Sequence, residues 1–145
     1  MPTFKGVSHF DLTVADAELS AAWYRQVLEL EQLHSTDSPE TFEGRMVNLV
    51  HSTTGLIISV IQHERSEPGA FSEFRVGLDH LAFAVDSHDE LEDWVTHFDK
   101  LGVNHSGINE MGYGSVLVFR DPDGIQLELF CLTPAGSDYV GEASI

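Results

Sequence analysis

At 145 residues, 42% hydrophobic and 10% aromatic, the chain has the size and composition of one globular domain, or of two half-domains around a shared core. A formal net charge of −17, with 7 Lys and Arg against 24 Asp and Glu, excludes a nucleic-acid partner and an anionic membrane surface. No apolar run approaches the roughly 18–20 residues of a bilayer span, and the opening MPTFKGVSHF lacks the pattern of a secretion signal, so a cytoplasmic location is expected.

The first element is an alternating strand, His9–Val14, with Phe10, Leu12 and Val14 on one face and His9, Asp11 and Thr13 on the other. Asp16 is placed to cap a helix whose Leu19, Ala22, Trp23, Val27 and Leu30 form one stripe. Strands are expected near Glu31–Ser35, at Arg45–His51 and at Leu56–Gln62. The polar stretch Glu64–Val76, with Pro68 and Gly69, then leads to a second alternating strand, His80–Val85, in which His80, Ala82 and Ala84 oppose Leu81, Phe83 and Val85. Ser87 and Glu90 form a capping box for a helix with the stripe Leu91, Trp94, Val95, Phe98 and Leu101, and Gly102 is its stop. Strands near Val103–Ser106, at Ser115–Arg120 and at Ile125–Leu132 follow, the last two joined by the turn Asp121-Pro122-Asp123-Gly124. The two tryptophans are expected to anchor helix on sheet. Cys131, the lone cysteine, follows Leu127 and Leu129 at strand spacing and reads as a buried thiol.

The chain is one pattern written twice. GVSHFDLTVAD from Gly6 matches GLDHLAFAVDS from Gly77; His9 and His80, Val14 and Val85, and Trp23 and Trp94 each stand 71 apart. Gly55 and Gly124 are 69 apart, a drift that one loop-length difference accounts for. Each half reads β-α-β-β-β, which makes the fold class α+β. The expected division is a first module at 1–64, a connection at 65–76, a second module at 77–133 and a tail at 134–145.

Strand parity puts His9 and His80 on the sheet faces that the helices leave free. Gln126, Glu128 and Phe130 fall on the corresponding face of the last strand. A carboxylate between apolar neighbours on a strand interior needs a cation or donors, and Glu128 by itself has Arg120 or Arg25 as salt-bridge candidates. Taken together, His9, His80 and Glu128 form a set of two imidazoles and one carboxylate, suited to one divalent metal: Fe2+, Mn2+, Ni2+, Co2+ or Zn2+. Such a site keeps a net charge of about +1, available to an oxyanion on a substrate. His63, at the open end of its strand, is a candidate acid or base, and Tyr113 in Met111-Gly112-Tyr113-Gly114 is a candidate hydrogen-bond donor. His34, His51, His88, His97 and His105 read as loop or helix-surface residues.

The openings GVSHFDLTV and GLDHLAFAV, the segment AAWYRQVLELE and the closing VFRDPDGIQLELF together resemble the vicinal oxygen chelate superfamily, over about Gly6 to Leu132. It contains glyoxalase I, fosfomycin resistance proteins, extradiol dioxygenases and bleomycin-resistance proteins. The resemblance implies two paired βαβββ modules forming a cup-shaped, mostly antiparallel sheet with helices outside. His9, His80 and Glu128 then match the family's metal ligands. Ser59 stands where glyoxalase I-like members carry a second glutamate, leaving a two-His, one-carboxylate set like those of extradiol dioxygenases and fosfomycin-modifying enzymes. The implied function is metal-dependent dioxygenase, isomerase or lyase chemistry on a small substrate with adjacent oxygens, in a homodimer. The alternative is a metal-free drug-binding protein of the bleomycin-resistance type.

Overall fold

The computed structural model describes residues 2–3, 6–33, 43–67 and 69–133, so the expected tail and His34 lie outside the described residues. The chain divides into two compact units, Met1–Ala70 and Phe71–Ile145. Unit 1 contains β1 (His9–Thr13), α1 (Ala17–Val27), β2 (Glu31–Gln32), β3 (Gly44–Val50) and β4 (Ile57–His63). Unit 2 repeats the plan with β5 (Leu81–Val85), α2 (His88–Leu101), β6 (His105–Met111), β7 (Gly114–Arg120) and β8 (Gln126–Leu132). The sheet orders are β1-β4-β3-β2 and β5-β8-β7-β6, so the first and last strands of each unit are parallel neighbours and the other pairs run antiparallel. This is the doubled βαβββ, α+β architecture expected from the sequence.

The repeat offset narrows in two steps of one residue, not at one loop. Asp16 and Ser87, the N-caps, are 71 apart; Gly44 and Gly114, which open β3 and β7, are 70 apart; Ile57 and Gln126, which open β4 and β8, are 69 apart. The second step is the hairpin loop, 51–56 in unit 1 against 121–125 in unit 2.

Both helices start where the sequence says. The Asp16 carboxylate accepts from the backbone N–H groups of Glu18 and Leu19, each at 3.0 Å. Ser87 Oγ accepts from Glu90 N–H at 3.2 Å, while the Glu90 carboxylate reaches one residue past the cap, to Asp86 N–H at 2.9 Å. Gly102 ends α2 at φ 70, a left-handed conformation that costs a side-chain-bearing residue about 1 kcal/mol.

The stripe of α1 is rotated from expectation. Ala17, Ser20, Ala21, Tyr24 and Val27 are buried, whereas Leu19 is 55% exposed, Ala22 is exposed and Trp23 is half-buried. Small residues at the first turns let the helix lie close on β3 and β4, and the phenol ring of Tyr24 fills the space further along. In α2 the expected stripe holds, with Leu91 and Phe98 fully buried. Neither tryptophan is a core anchor: Trp23 and Trp94 are half-buried, and Tyr24 and Phe98 take that role. Phe98 packs on Phe119 with centroids 4.6 Å apart. The strand expected near Val103–Ser106 runs instead from His105 to Met111, and His105 is its mostly buried first residue, hydrogen-bonded to Asp99 at 3.2 Å.

Candidate metal centre

The registers confirm the parity on which the candidate site rests. In unit 2, Leu127, Leu129 and Cys131 are buried on the helix side of β8, leaving Gln126, Glu128 and Phe130 on the open face. Glu128 lies between Ala82 on β5 and Val118 on β7, and Phe130 between Ala84 and Val116. In unit 1 the open face carries His9, Asp11 and Thr13 on β1 and Ile57, Ser59, Ile61 and His63 on β4, with His9 opposite Ile57 and Asp11 opposite Ser59. Ser59 is therefore the positional equivalent of Glu128, as Asp11 is of Ala82.

His80 immediately precedes β5, and its Nε2 is 3.4 Å from Glu128 Oε2. Its Nδ1 is 2.7 Å from Asp79 Oδ1. Donation of the Nδ1 proton to Asp79 leaves Nε2 as a lone-pair acceptor facing a carboxylate oxygen, itself an acceptor. Two acceptors at this spacing need a proton or a cation between them. The Glu128 side chain is only 16% exposed while His80 is 38% exposed, so the pair is open on one side. Of the two cationic candidates for Glu128, Arg120 is otherwise engaged: it donates to Glu73 at 2.7 Å, to Gly124 O at 2.7 Å and to Gln126 at 3.0 Å. That engagement holds the Glu73 carboxyl below its ordinary value, the Arg120 hydrogen bond being the largest cause.

Unit 1 repeats half of this arrangement. His9 Nδ1 is 3.1 Å from Ser8 Oγ, and its Nε2 is 3.9 Å from Asp11 Oδ2. Ser8 and Asp79 were not among the expected site residues, yet they stand 71 apart, one position before the paired histidines. The repeat offset was the signal that could have found them. Among the described residues no three His, Cys, Asp or Glu side chains gather into a metal-holding group; unit 2 by itself supplies two donors. Their chemistry, an imidazole nitrogen and a carboxylate oxygen both turned to one open side, fits a divalent ion that takes further ligands from elsewhere.

The two candidate catalytic residues, His63 and Tyr113, fare differently. His63 ends β4, six residues along from the Ile57 that pairs with His9, about 20 Å at the rise of a strand; the unit does not bring them together. Tyr113 sits in the turn between β6 and β7, and its ring packs 5.9 Å from that of Phe130, two residues along β8 from Glu128. Its hydroxyl donates to the Met111 sulfur at 3.1 Å, a weak acceptor. Gly114 makes room for this wall, since a Cβ there would fall 2.5 Å from Phe130 Cζ and 2.6 Å from Cys131 O. Cys131 itself is buried and free, and burial pushes its thiol pKa up, which suits a packing residue rather than a nucleophile. Of the described residues, no helix is long and apolar enough to cross a membrane.

Comparison with known proteins places these features in a family. The chain is 28% identical over 127 residues to MhqA of Bacillus subtilis (strain 168), assigned as a ring-cleaving dioxygenase; the match covers 88% of this chain but 40% of that protein, so the chain spans about two fifths of its relative. A glyoxylase/bleomycin resistance protein/dioxygenase domain from Frankia sp. EAN1pec is 32% identical with a TM-score of 0.80, covering 90% of this chain and 100% of its own. The fosfomycin resistance protein FosX of Listeria monocytogenes shares the fold, at 20% identity and a TM-score of 0.71 over 96% of this chain and 100% of its own. A variant of that protein has been crystallised with Mn(II). Residues 6–129 match the Glyoxalase/Bleomycin resistance protein/Dioxygenase superfamily, and the chain belongs to it.

Proposed function

We propose that this chain is a divalent-metal-dependent enzyme whose ligands are His9, His80 and Glu128, and that it acts on a small substrate chelating the metal through adjacent oxygens. The observation that carries the reading is the His80–Glu128 pair: an imidazole nitrogen 3.4 Å from a carboxylate oxygen on an open sheet face, with the other ring nitrogen 2.7 Å from Asp79. His9 occupies the equivalent slot of unit 1; Ser59, in the slot of Glu128, adds no carboxylate, and the proposed set is two imidazoles and one carboxylate. Three protein ligands on a six-coordinate ion would leave room for a bidentate substrate and one further small molecule.

Ring-cleaving dioxygenation of an ortho-dihydroxy aromatic is the reaction this arrangement supports best. When bound, Fe2+ would supply Lewis acidity to acidify the substrate hydroxyls and electrons for dioxygen. The chain's own residues bind and orient the ring. Phe130 and Tyr113 offer an aromatic wall beside Glu128, and Ala82, Ala84, Val116 and Val118 keep the neighbouring surface apolar and low. A phosphonate substrate is less well served, since of the basic candidates Arg65, Arg75 and Arg120 two are paired with carboxylates, Arg65 with Glu43 and Arg120 with Glu73. The name of the Bacillus relative points the same way, though it belongs to a protein of which this chain matches 40%.

The test is elemental analysis of protein purified without a nickel column, followed by anaerobic Fe2+ loading and oxygen uptake with a panel of catechols. The expected result is one metal per chain, lost on His80→Ala or Glu128→Gln, and catechol-dependent oxygen consumption. Metal binding without oxygen uptake would move the assignment to isomerase or lyase chemistry. A metal-free protein that binds a cationic drug tightly would instead be a sequestering protein.

A further inference from the structure

We propose that Asp79 and Ser8 are positioning residues that aim His80 and His9 at the metal, and that the difference between them makes His80 the stronger donor. The inference rests on the metal reading above and adds a division of labour within it. The two residues occupy the same slot of the repeat, each immediately before its histidine. Each side-chain oxygen lies within hydrogen-bond reach of Nδ1, at 2.7 Å for Asp79 and 3.1 Å for Ser8, so in each case Nε2 is the nitrogen left for a ligand. In each unit that Nε2 is the ring nitrogen nearest a carboxylate of the open face, Glu128 in one and Asp11 in the other.

The partners differ in charge. A carboxylate accepting the Nδ1 proton fixes the tautomer and places a full negative charge behind the ring; a hydroxyl fixes orientation with far less polarisation and is also able to donate. The shorter contact at His80 agrees with a charge-assisted hydrogen bond. His80 is thereby held in one tautomer by an acceptor-only group, whereas Ser8 leaves the tautomer of His9 free to change.

The test exchanges the two partners in the full chain and titrates Mn2+ by electron paramagnetic resonance, which reads free ion directly and needs no activity. Asp79→Ser is expected to weaken Mn2+ binding about tenfold, the lower end of what loss of such a partner costs. Asp79→Asn, which keeps an acceptor oxygen without the charge, should fall between it and the parent. Ser8→Asp should tighten binding about threefold or more, a gain that damage to the fold cannot produce. Val7→Asp adds the same charge one residue away and should leave the affinity within twofold. Binding abolished by His80→Ala but indifferent to Asp79→Ser and Ser8→Asp would overturn the inference while leaving the metal reading intact. No Mn2+ binding by the parent chain, in the face of correct folding, would overturn both.

Discussion

The alternation along β8 allows a direct separation of ligand from scaffold. Glu128 and Leu129 are adjacent, one on the open face with a 16% exposed side chain and the other buried at 2% against α2. If Glu128 serves a metal, its carboxylate adds little to the metal-free fold, because its near partner is His80 and the chain already carries a large negative charge. Glu128→Gln, which keeps the shape, should therefore change metal-free stability by no more than about 1 kcal/mol, or roughly 2–4 °C for a chain of this length. Leu129→Ala removes core contacts and should cost about 2–5 kcal/mol, or roughly 5–15 °C. Metal at a hundred times its Kd should stabilise the parent by about 2.7 kcal/mol, equivalent to roughly 5–10 °C. That increment should vanish in Glu128→Gln and persist in Leu129→Ala. Thermal unfolding followed by circular dichroism, with EDTA and with Mn2+, reads all three. A fall in the EDTA melting temperature for Glu128→Gln as large as that for Leu129→Ala would refute the reasoning, since it would make the carboxylate a structural group.

Other consequences are simpler to state. Asp16→Ala removes the acceptor for two backbone N–H groups of α1 and should cost about 1 kcal/mol in urea unfolding, with metal affinity unchanged. Gly114→Ala should drive Phe130 off its position and weaken binding of an aromatic substrate analogue more than it weakens metal binding, measured by calorimetry on the loaded protein. Cys131 should resist a thiol-specific chromogenic reagent until the protein unfolds, because burial raises its pKa and blocks access. The carboxyls of Glu73 and Glu110 are both held below 4.5, by the Arg120 and Ser115 hydrogen bonds respectively. Their contribution to stability is thus complete above that pH and lost as the pH falls through the lowered values. Arg120→Met should remove the Glu73 share, seen as a shallower loss of melting temperature as the pH falls below 4.5.

Much of this was written plainly in the chain. The period-two pattern of β1 and β5, the N-caps Asp16 and Ser87, the Gly102 stop and the 71-residue repeat all act through neighbours a few residues apart or through direct copying, and each appears in the structure. The face of Glu128 was legible for the same reason. What local pattern misjudged was close packing: Leu19 and Trp23 are apolar and correctly spaced, yet Ala17, Ser20 and Ala21 lie inward because small residues let α1 approach the sheet. That preference depends on the partner surface, which the helix sequence does not contain. His105 was misplaced similarly, since its burial comes from Phe98 and Asp99 across the α2–β6 corner. Asp79 and Ser8 lie outside the strands and carry no alternation; only their shared slot in the 71-residue repeat marks them.

The parallel pairing of β5 with β8 has a practical corollary. The candidate donors of unit 2 lie at the outset and the finish of its chain, while everything from His88 to Arg120 is a single uninterrupted insert between them. That insert carries Val118, which pairs with Glu128, and Val116 and Tyr113, which lie against Phe130, none of them a donor. A library confined to this stretch would vary what the surface recognises while inheriting the His80–Glu128 chemistry untouched. Evolution has the same freedom, so a single donor arrangement can persist beneath many substrate preferences.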